Sequence, residues 1–226
     1  MSAGFSPREI SILMHHTVRF IVLPLLFFVP CFTMAQSLPA TALEAIRAFA
    51  LPGTEPIVAD ATHPDRPHTT VAAIVHLTKT SAAIMIARET RTGAYEVIAR
   101  SRSFALSRES NVGAWIEEFR FAPPDRIELS LTSRSGCARS VATHRFALRN
   151  GVWLVTGLDV SAMRCTDDGV EQDRTESANY LTGRVVRTTF TSSKPPKTTH
   201  GPATRGAFPL SEFPPDGPEV VYAEMR

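Results

Sequence analysis

The dipeptide Asn150-Gly151 constrains the fold of this chain more than any other feature. It stands between FALR and VWLV, two short runs rich in apolar residues. A two-residue hairpin turn needs positive φ at both central positions, and Asn and Gly tolerate that best. The turn sets a register in which Leu148 lies opposite Trp153 and Phe146 opposite Val155. Carried to the open end of the hairpin, that register puts Gly136 opposite Cys165, with Cys137 one residue further on. A single β-bulge closes a gap of that size. Opposed strand positions sit about 4.5–5.5 Å apart, within reach of a disulfide. The spacing therefore predicts a bond between Cys137 and Cys165.

Other runs carry the same kind of signal. Residues 71–77 and 82–87 are short and rich in Val, Ile and Ala, with a polar turn at 78–81. Residues 95–100 follow a turn at 91–94. Within 115–121, simple alternation puts Trp115, Glu117, Phe119 and Phe121 on one face, and Ile116, Glu118 and Arg120 on the other. After Pro123-Pro124-Asp125, residues 127–131 alternate cleanly. Residues 177–182 and 184–190 read as a hairpin around Gly183, and 167–176 as an acidic loop. Upstream, Thr41 and Glu44 have the spacing of a capping box. Leu43, Ile46, Phe49 and Ala50 would form the apolar face of that short helix, which Pro52-Gly53 ends. The helix is expected across an edge or end of the main sheet. The expected fold class is mainly β: an antiparallel meander of about nine strands, folded as a sandwich or partly closed barrel.

The ends differ from the middle. Arg8 and Arg19 precede the apolar run FIVLPLLFFVPCF, and Thr33-Met34-Ala35 supplies small residues. That order reads as a cleavable secretory signal peptide over 1–35, cut before Gln36. Its apolar core is interrupted by Pro24 and Pro30 and falls short of the roughly 20 residues that span a bilayer. Cys31 follows Pro30 rather than a small residue, against a lipid anchor. Met14 offers an alternative start. Cleavage leaves two of the three cysteines, in a compartment that favours their oxidation. From residue 192 onward, seven prolines and few large apolar residues predict a Pro-rich tail, extended or disordered, over 192–226. Phe208, Leu210 and Phe213 could instead dock on the domain, which is assigned to 36–191. The formal charge of +2 supplies no field that would draw the protein to nucleic acid. No stable membrane insertion is expected after cleavage.

Candidate chemistry is sparse. Asp60, His63, Asp65 and His68 lie close together, and imidazole with carboxylate suits zinc, copper or nickel. Pro64 and Pro67 stiffen that loop, and its spacing matches no established ligand pattern, so a solvated loop is preferred. The acidic stretch lacks the order of an EF-hand loop. No G-x-S-x-G elbow and no phosphate-cradling glycine loop occur. No catalytic residue and no cofactor are expected. Trp115, Trp153, Tyr180 and Tyr95 could line a glycan or peptide groove. Trp153 is expected in the core, and Tyr180 is the residue most readily assigned to a binding surface.

The segments FALRNGVWLVTGLD and SANYLTG, the latter from Ser177 to Gly183, resemble a broad group of uncharacterised exported bacterial β-rich proteins. These carry a Leu-(Ile/Val)-Gly-x-Asp-like strand end followed by S-x-N-(Tyr/Phe)-L-T-G. Some are distantly similar to FG-GAP/VCBS-type β-repeat proteins. That likeness implies an aspartate-rich loop at ADATHPDRPHTTVAAIV. Asp60 and Asp65 fit it, whereas His63, Pro64 and Arg66 depart from what calcium favours. The resemblance implies no activity. The expected function is an exported non-catalytic β-domain that binds a protein or envelope polymer. The alternatives are an envelope hydrolase and a metal-handling protein using the 60–68 loop.

Overall fold

The computed structural model describes residues 41–61, 70–106, 112–122 and 125–214. In chain order the elements begin with α1 (Ala42–Arg47), β1 (Ile57–Val58), β2 (Asp60–Ala61), β3 (Thr70–His76), β4 (Ser81–Glu89), β5 (Tyr95–Arg100) and β6 (Phe104–Ala105). There follow β7 (Val112–Ala122), β8 (Arg126–Ser135), β9 (Ala138–Arg149), β10 (Val152–Thr166) and β11 (Gly169–Asn179). Last come β12 (Arg184–Thr191), β13 (Lys194–Pro202), β14 (Phe208–Pro209) and a 3-10 turn, η1 (Leu210–Glu212). Strands β1, β3, β4 and β5 pair in that order, with β6 also on β4. Strands β7 to β13 form one unbroken antiparallel meander. Strand β2 joins β7 in parallel, and β14 pairs with β10. The protein is thus mainly β, with antiparallel sheets in a sandwich-like arrangement and, among the described residues, one short α-helix; the sheets do not close into a barrel.

Alternation explains the layers. On β3 and β4, Ala72, Ile74, Ala82, Ile84 and Ile86 pack with Ile127, Leu129, Leu131, Phe146, Trp153 and Val155 of the long sheet. The intervening Ala73, Val75, Met85 and Ala87 pack with Ala42 and Ile46 of the helix. Both faces of the short sheet are covered, which is why β3 and β4 read as nearly continuous apolar runs. The capping box at Thr41 and Glu44 is present. The helix lies on a face of the short sheet rather than across the edge or end of the main one. Its buried residues are Ala42, Ala45 and Ile46. Phe49 lies beyond its last turn and is 44% exposed, with the Arg100 guanidinium 5.8 Å from its ring.

The hairpin turned by Asn150 and Gly151 has the expected register, Leu148 opposite Trp153 and Phe146 opposite Val155. Both turn residues have positive φ, 49° and 80°. The register then shifts between Val155 and Gly157, so that Gly157 faces Arg145. Thr156 is the extra residue. Its carbonyl accepts from the amide of Tyr180, and its hydroxyl donates to the carbonyl of Arg145. Beyond this one bulge the pairing runs true to Met163 opposite Arg139. Cys137 and Cys165 are joined, with Cα atoms 5.7 Å apart. A closed loop with a separation of 28 residues stabilises by about 3–4 kcal/mol in the chain-entropy model. The hairpin already draws the ends together, so we expect reduction to cost about 2 kcal/mol. Urea midpoints of oxidised and reduced protein measure this. Two free thiols in unreduced protein would contradict the bond.

A second bulge corrects a sequence expectation. The register of β7 against β8 shifts between Ile116 and Glu118, at Glu117. The extra residue breaks the alternation, so Ile116 joins Phe119 and Phe121 against the core. Trp115 is left 37% exposed. Glu117 instead accepts from the Thr132 hydroxyl and from Arg139. The Thr132 hydrogen bond, aided by Arg139, holds its carboxyl below the usual range.

The stretch after Thr191 is the larger correction. A disordered tail was expected there, yet residues 194–202 form β13 along β12. The returning chain is tied to the preceding turn, the Ala203 amide donating to Gly183 and that of Ala207 to Tyr180. Phe208 and Pro209 then pair with Val155 and Leu154 of β10. Leu210 and Phe213 are fully buried in the main core. Docking of this segment is therefore the arrangement found. The expected leader at 1–35 and the chain beyond Pro214 lie outside the described residues. Among the described residues, no helix is long and apolar enough to cross a membrane.

Candidate functional site

Strands β12 and β13 make their substantial contacts only within their own sheet. Together with the outer halves of β10 and β11 they form a platform, and one of its faces carries a groove of about 490 Å³. Cross-strand partners share a face, so the register orders this face into rows, in which Val160, Ala162, Thr189 and Lys197 stand beside the groove rather than in its lining. One row is Leu158, Ala178, Val185 and Gly201. The next is Val160, Glu176, Arg187 and Thr199. The third is Ala162, Arg174, Thr189 and Lys197. Tyr180 lines the groove beyond the first row and packs on Phe208, ring centres 6.0 Å apart.

Each row has its own chemistry. Leu158 and Ala178 are buried and make an apolar floor. Glu176 and Arg187 form a forked pair, the guanidinium Nε donating to one carboxylate oxygen at 2.7 Å. Arg174 has no such partner among the described residues, and its buried Nε makes no hydrogen bond. A Cβ added at Gly201 meets nothing within 4 Å, so the groove is open there.

Arg145 and residues of the stretches 146–159 and 177–183 hold this platform in shape. Arg145 donates to Asp159 at 2.6 Å and to the Ala178 carbonyl at 3.0 Å, and so ties β9, β10 and β11 together. The Ser177 hydroxyl donates to the other oxygen of Asp159 at 2.6 Å. The Asn179 side chain accepts from the amides of Leu181 and Thr182, and Gly183 supplies φ of 66° to close the turn. Gly157 is needed because Arg145 crosses it. A Cβ there would lie 2.6 Å from an Arg145 nitrogen and 2.7 Å from the Ala178 carbonyl oxygen. We expect Gly157→Ala to destabilise by about 2 kcal/mol, in the range of overpacked sites. The coupling to Arg145→Ala in a double-mutant cycle of urea midpoints checks whether the guanidinium is the obstacle. Simple additivity would assign the strain to the Ala178 carbonyl alone.

The four aromatic residues do not converge. Trp153 is buried in the core, as expected. Trp115 lies on β7, Tyr95 packs in the cluster against the helix, and Tyr180 is half-buried at the groove. Of the candidate metal ligands, one falls among the described residues. Asp60 starts the short strand β2, while His63, Asp65 and His68 lie outside the described residues. The expected acidic loop is instead a hairpin. Asp167 and Asp168 make its turn, and Glu171, Asp173 and Glu176 sit on β11 beside Arg164 and Arg187. His76, His144 and His200 fall on β3, β9 and β13. His144 lies in the core with its ring 4.8 Å from that of Phe213. Burial pushes its pKa down to about 4.

Sequence reasoning singled out Tyr180 and placed Glu176 in an acidic loop, but gave no role to Arg174 and did not bring it together with Glu176. They share one face only through the pairing of β10 to β13, which no local pattern announces. Comparison with protein families, with curated proteins and with solved structures finds no match.

Proposed function

We propose that this is an exported, non-catalytic β-domain that binds an extracytoplasmic partner, a protein or an envelope polymer, through the platform groove. The observation that carries the reading is the groove itself: an apolar floor, a neutralised ion pair and an Arg174 that, among the described residues, has no ion-pair partner and lies on sheet surface no other element packs on. Ligand sites combine apolar lining with a few convergent polar groups in this way. Export is supported by the leader-like order of residues 1–35 and by the bonded cysteines, since such bonds persist in oxidising compartments.

The test uses protein isolated from cells expressing the full chain. Its intact mass is expected to lack residues 1–35. Immobilised, it should capture envelope material, and Gly201→Leu should abolish capture by filling the open part of the groove. The same variant should melt close to the parent, because the added Cβ meets nothing within 4 Å and the side chain extends over open surface. Capture undiminished by Gly201→Leu sinks the groove. Catalytic turnover of envelope polymer by the purified protein favours a hydrolase instead.

A further inference from the structure

We propose that the groove takes a carboxylated glycan chain, one carboxylate held by Arg174 at the groove's end and a neighbouring one by Lys197, just outside the groove on the same face. This deepens the reading above and rests on the platform being the binding surface. Charge complementarity carries it. On this face the cations sort into two kinds. Arg187 is neutralised by Glu176, and Arg164 by Glu171 and Asp173. Arg174 and Lys197 form no ion pair among the described residues. They lie in one row, each paired in register with Thr189 between them. Two strand spacings separate them, about 9–10 Å. Two linked sugar rings cover that span. Arg174 is half-buried, so its guanidinium is partly desolvated and bonds a carboxylate more strongly than a fully hydrated one does.

The length of the groove argues for a chain rather than a single small anion. From Tyr180 to Arg174 is six residues of extended strand, about 20 Å. A ligand reaching both ends passes over the apolar floor of Leu158 and Ala178 and then over the neutral Glu176 and Arg187 pair. Sugar rings offer apolar faces to such a floor and hydroxyls to Thr199 and Thr189 beside it.

An acidic peptide is the competing occupant. Extended peptides gain much of their affinity by adding a strand to a free sheet edge. Among the described residues the free edge is β13, and since successive amides point to opposite sides, Pro195, Pro196 and Pro202 take at least one donor from that edge. Prolines of this kind protect edges from strand addition. The unpaired cations, moreover, stand on the face of the sheet and not along its edge. A glycan needs no backbone pairing, so it can follow the groove along β11 and turn across the strands at the Arg174 row.

The experiment is calorimetric titration of the isolated protein with polygalacturonate, with its methyl ester and with polyglutamate. Polygalacturonate should bind, more weakly as salt rises. The ester should bind at least tenfold less tightly. Arg174→Gln and Lys197→Gln should each weaken binding roughly tenfold, the size expected for one charge-assisted hydrogen bond. Arg88→Gln, on β4 of the other sheet, should leave affinity within about twofold. Equal affinity for the ester, or an unchanged Arg174→Gln variant, overturns the proposal. So does binding of polyglutamate in place of polygalacturonate, which assigns the groove to an acidic peptide. If polygalacturonate fails to bind while Gly201→Leu still abolishes envelope capture, this inference falls and the platform reading stands. If both fail, both fall.

Discussion

A chain cut after Thr191 is expected to lose its cooperative unfolding transition. The reason is Phe213, which is fully buried where the two sheets meet. Its ring lies edge-on to Phe104 of the short sheet at 5.9 Å and to Phe146 of the long sheet at 5.2 Å. Its carbonyl accepts from the amide of Arg102 at 2.8 Å, so backbone as well as side chain spans the layers. Leu210 fills the same core, and β14 covers Leu154 and Val155 on β10. Phe→Ala at a site of this kind costs about 3–5 kcal/mol. A domain of this size has about 5–15 kcal/mol in total. Truncation also removes Leu210 and exposes the β10 edge, so it should exhaust what remains. The graded test is Phe213→Ala in the full chain, read by urea unfolding. A loss under about 1 kcal/mol, or a stable core left by proteolysis at residue 192, would show the segment to be dispensable.

Prolines made this segment hard to read. Their number suggests a stretch that cannot order itself, and β13 is indeed exposed along its whole length. An edge strand, however, pairs only half of its amides, so it tolerates prolines that a central strand would exclude. The anchors that follow, Phe208, Leu210 and Phe213, are spaced irregularly because they lie on a bridge, a 3-10 turn and an extended residue. No single periodicity marks them. The opposite holds for the hairpin of β9 and β10. A turn of fixed type and a pair of cysteines supplied two independent registers that differed by one residue. The bulge at Thr156 is that residue. A bulge with no second marker stays hidden, as Glu117 shows: simple alternation there assigned Trp115 to the wrong face. The groove was less legible still. Tyr180 could be singled out as an aromatic residue beside a turn. Arg174 could not, because its rows exist only after β10, β11, β12 and β13 have paired.

The second large effect is on pH dependence. Between pH 7 and pH 4 the protein should lose about 3 kcal/mol through His144 alone. The imidazole is buried, its Nε2 has no hydrogen-bond partner among the described residues, and its ring meets that of Phe213. Desolvation disfavours its charged form and pushes the pKa down to about 4. In the unfolded chain a histidine titrates near 6.5. Between those two values the unfolded state binds the proton and the folded state does not. Acid therefore pulls the equilibrium toward unfolding. The contribution is whole above about pH 7, falls by about 2 kcal/mol at pH 5 and by about 3 at pH 4. Carboxylates titrate at the lower end of that window, so the informative quantity is a difference between proteins. His144→Gln has no titrating ring, and its stability should fall less than that of the parent by these amounts. Urea midpoints at pH 7 and pH 5 measure both. An imidazole resonance in the folded protein that titrates near 6 would contradict the prediction, as would equal pH slopes in parent and variant. Because His144 packs on Phe213, acid should loosen the C-terminal segment before the rest of the sheet. Proteolysis at pH 5 should then cut first between Pro202 and Phe208, and His144→Gln should slow that cut relative to the parent.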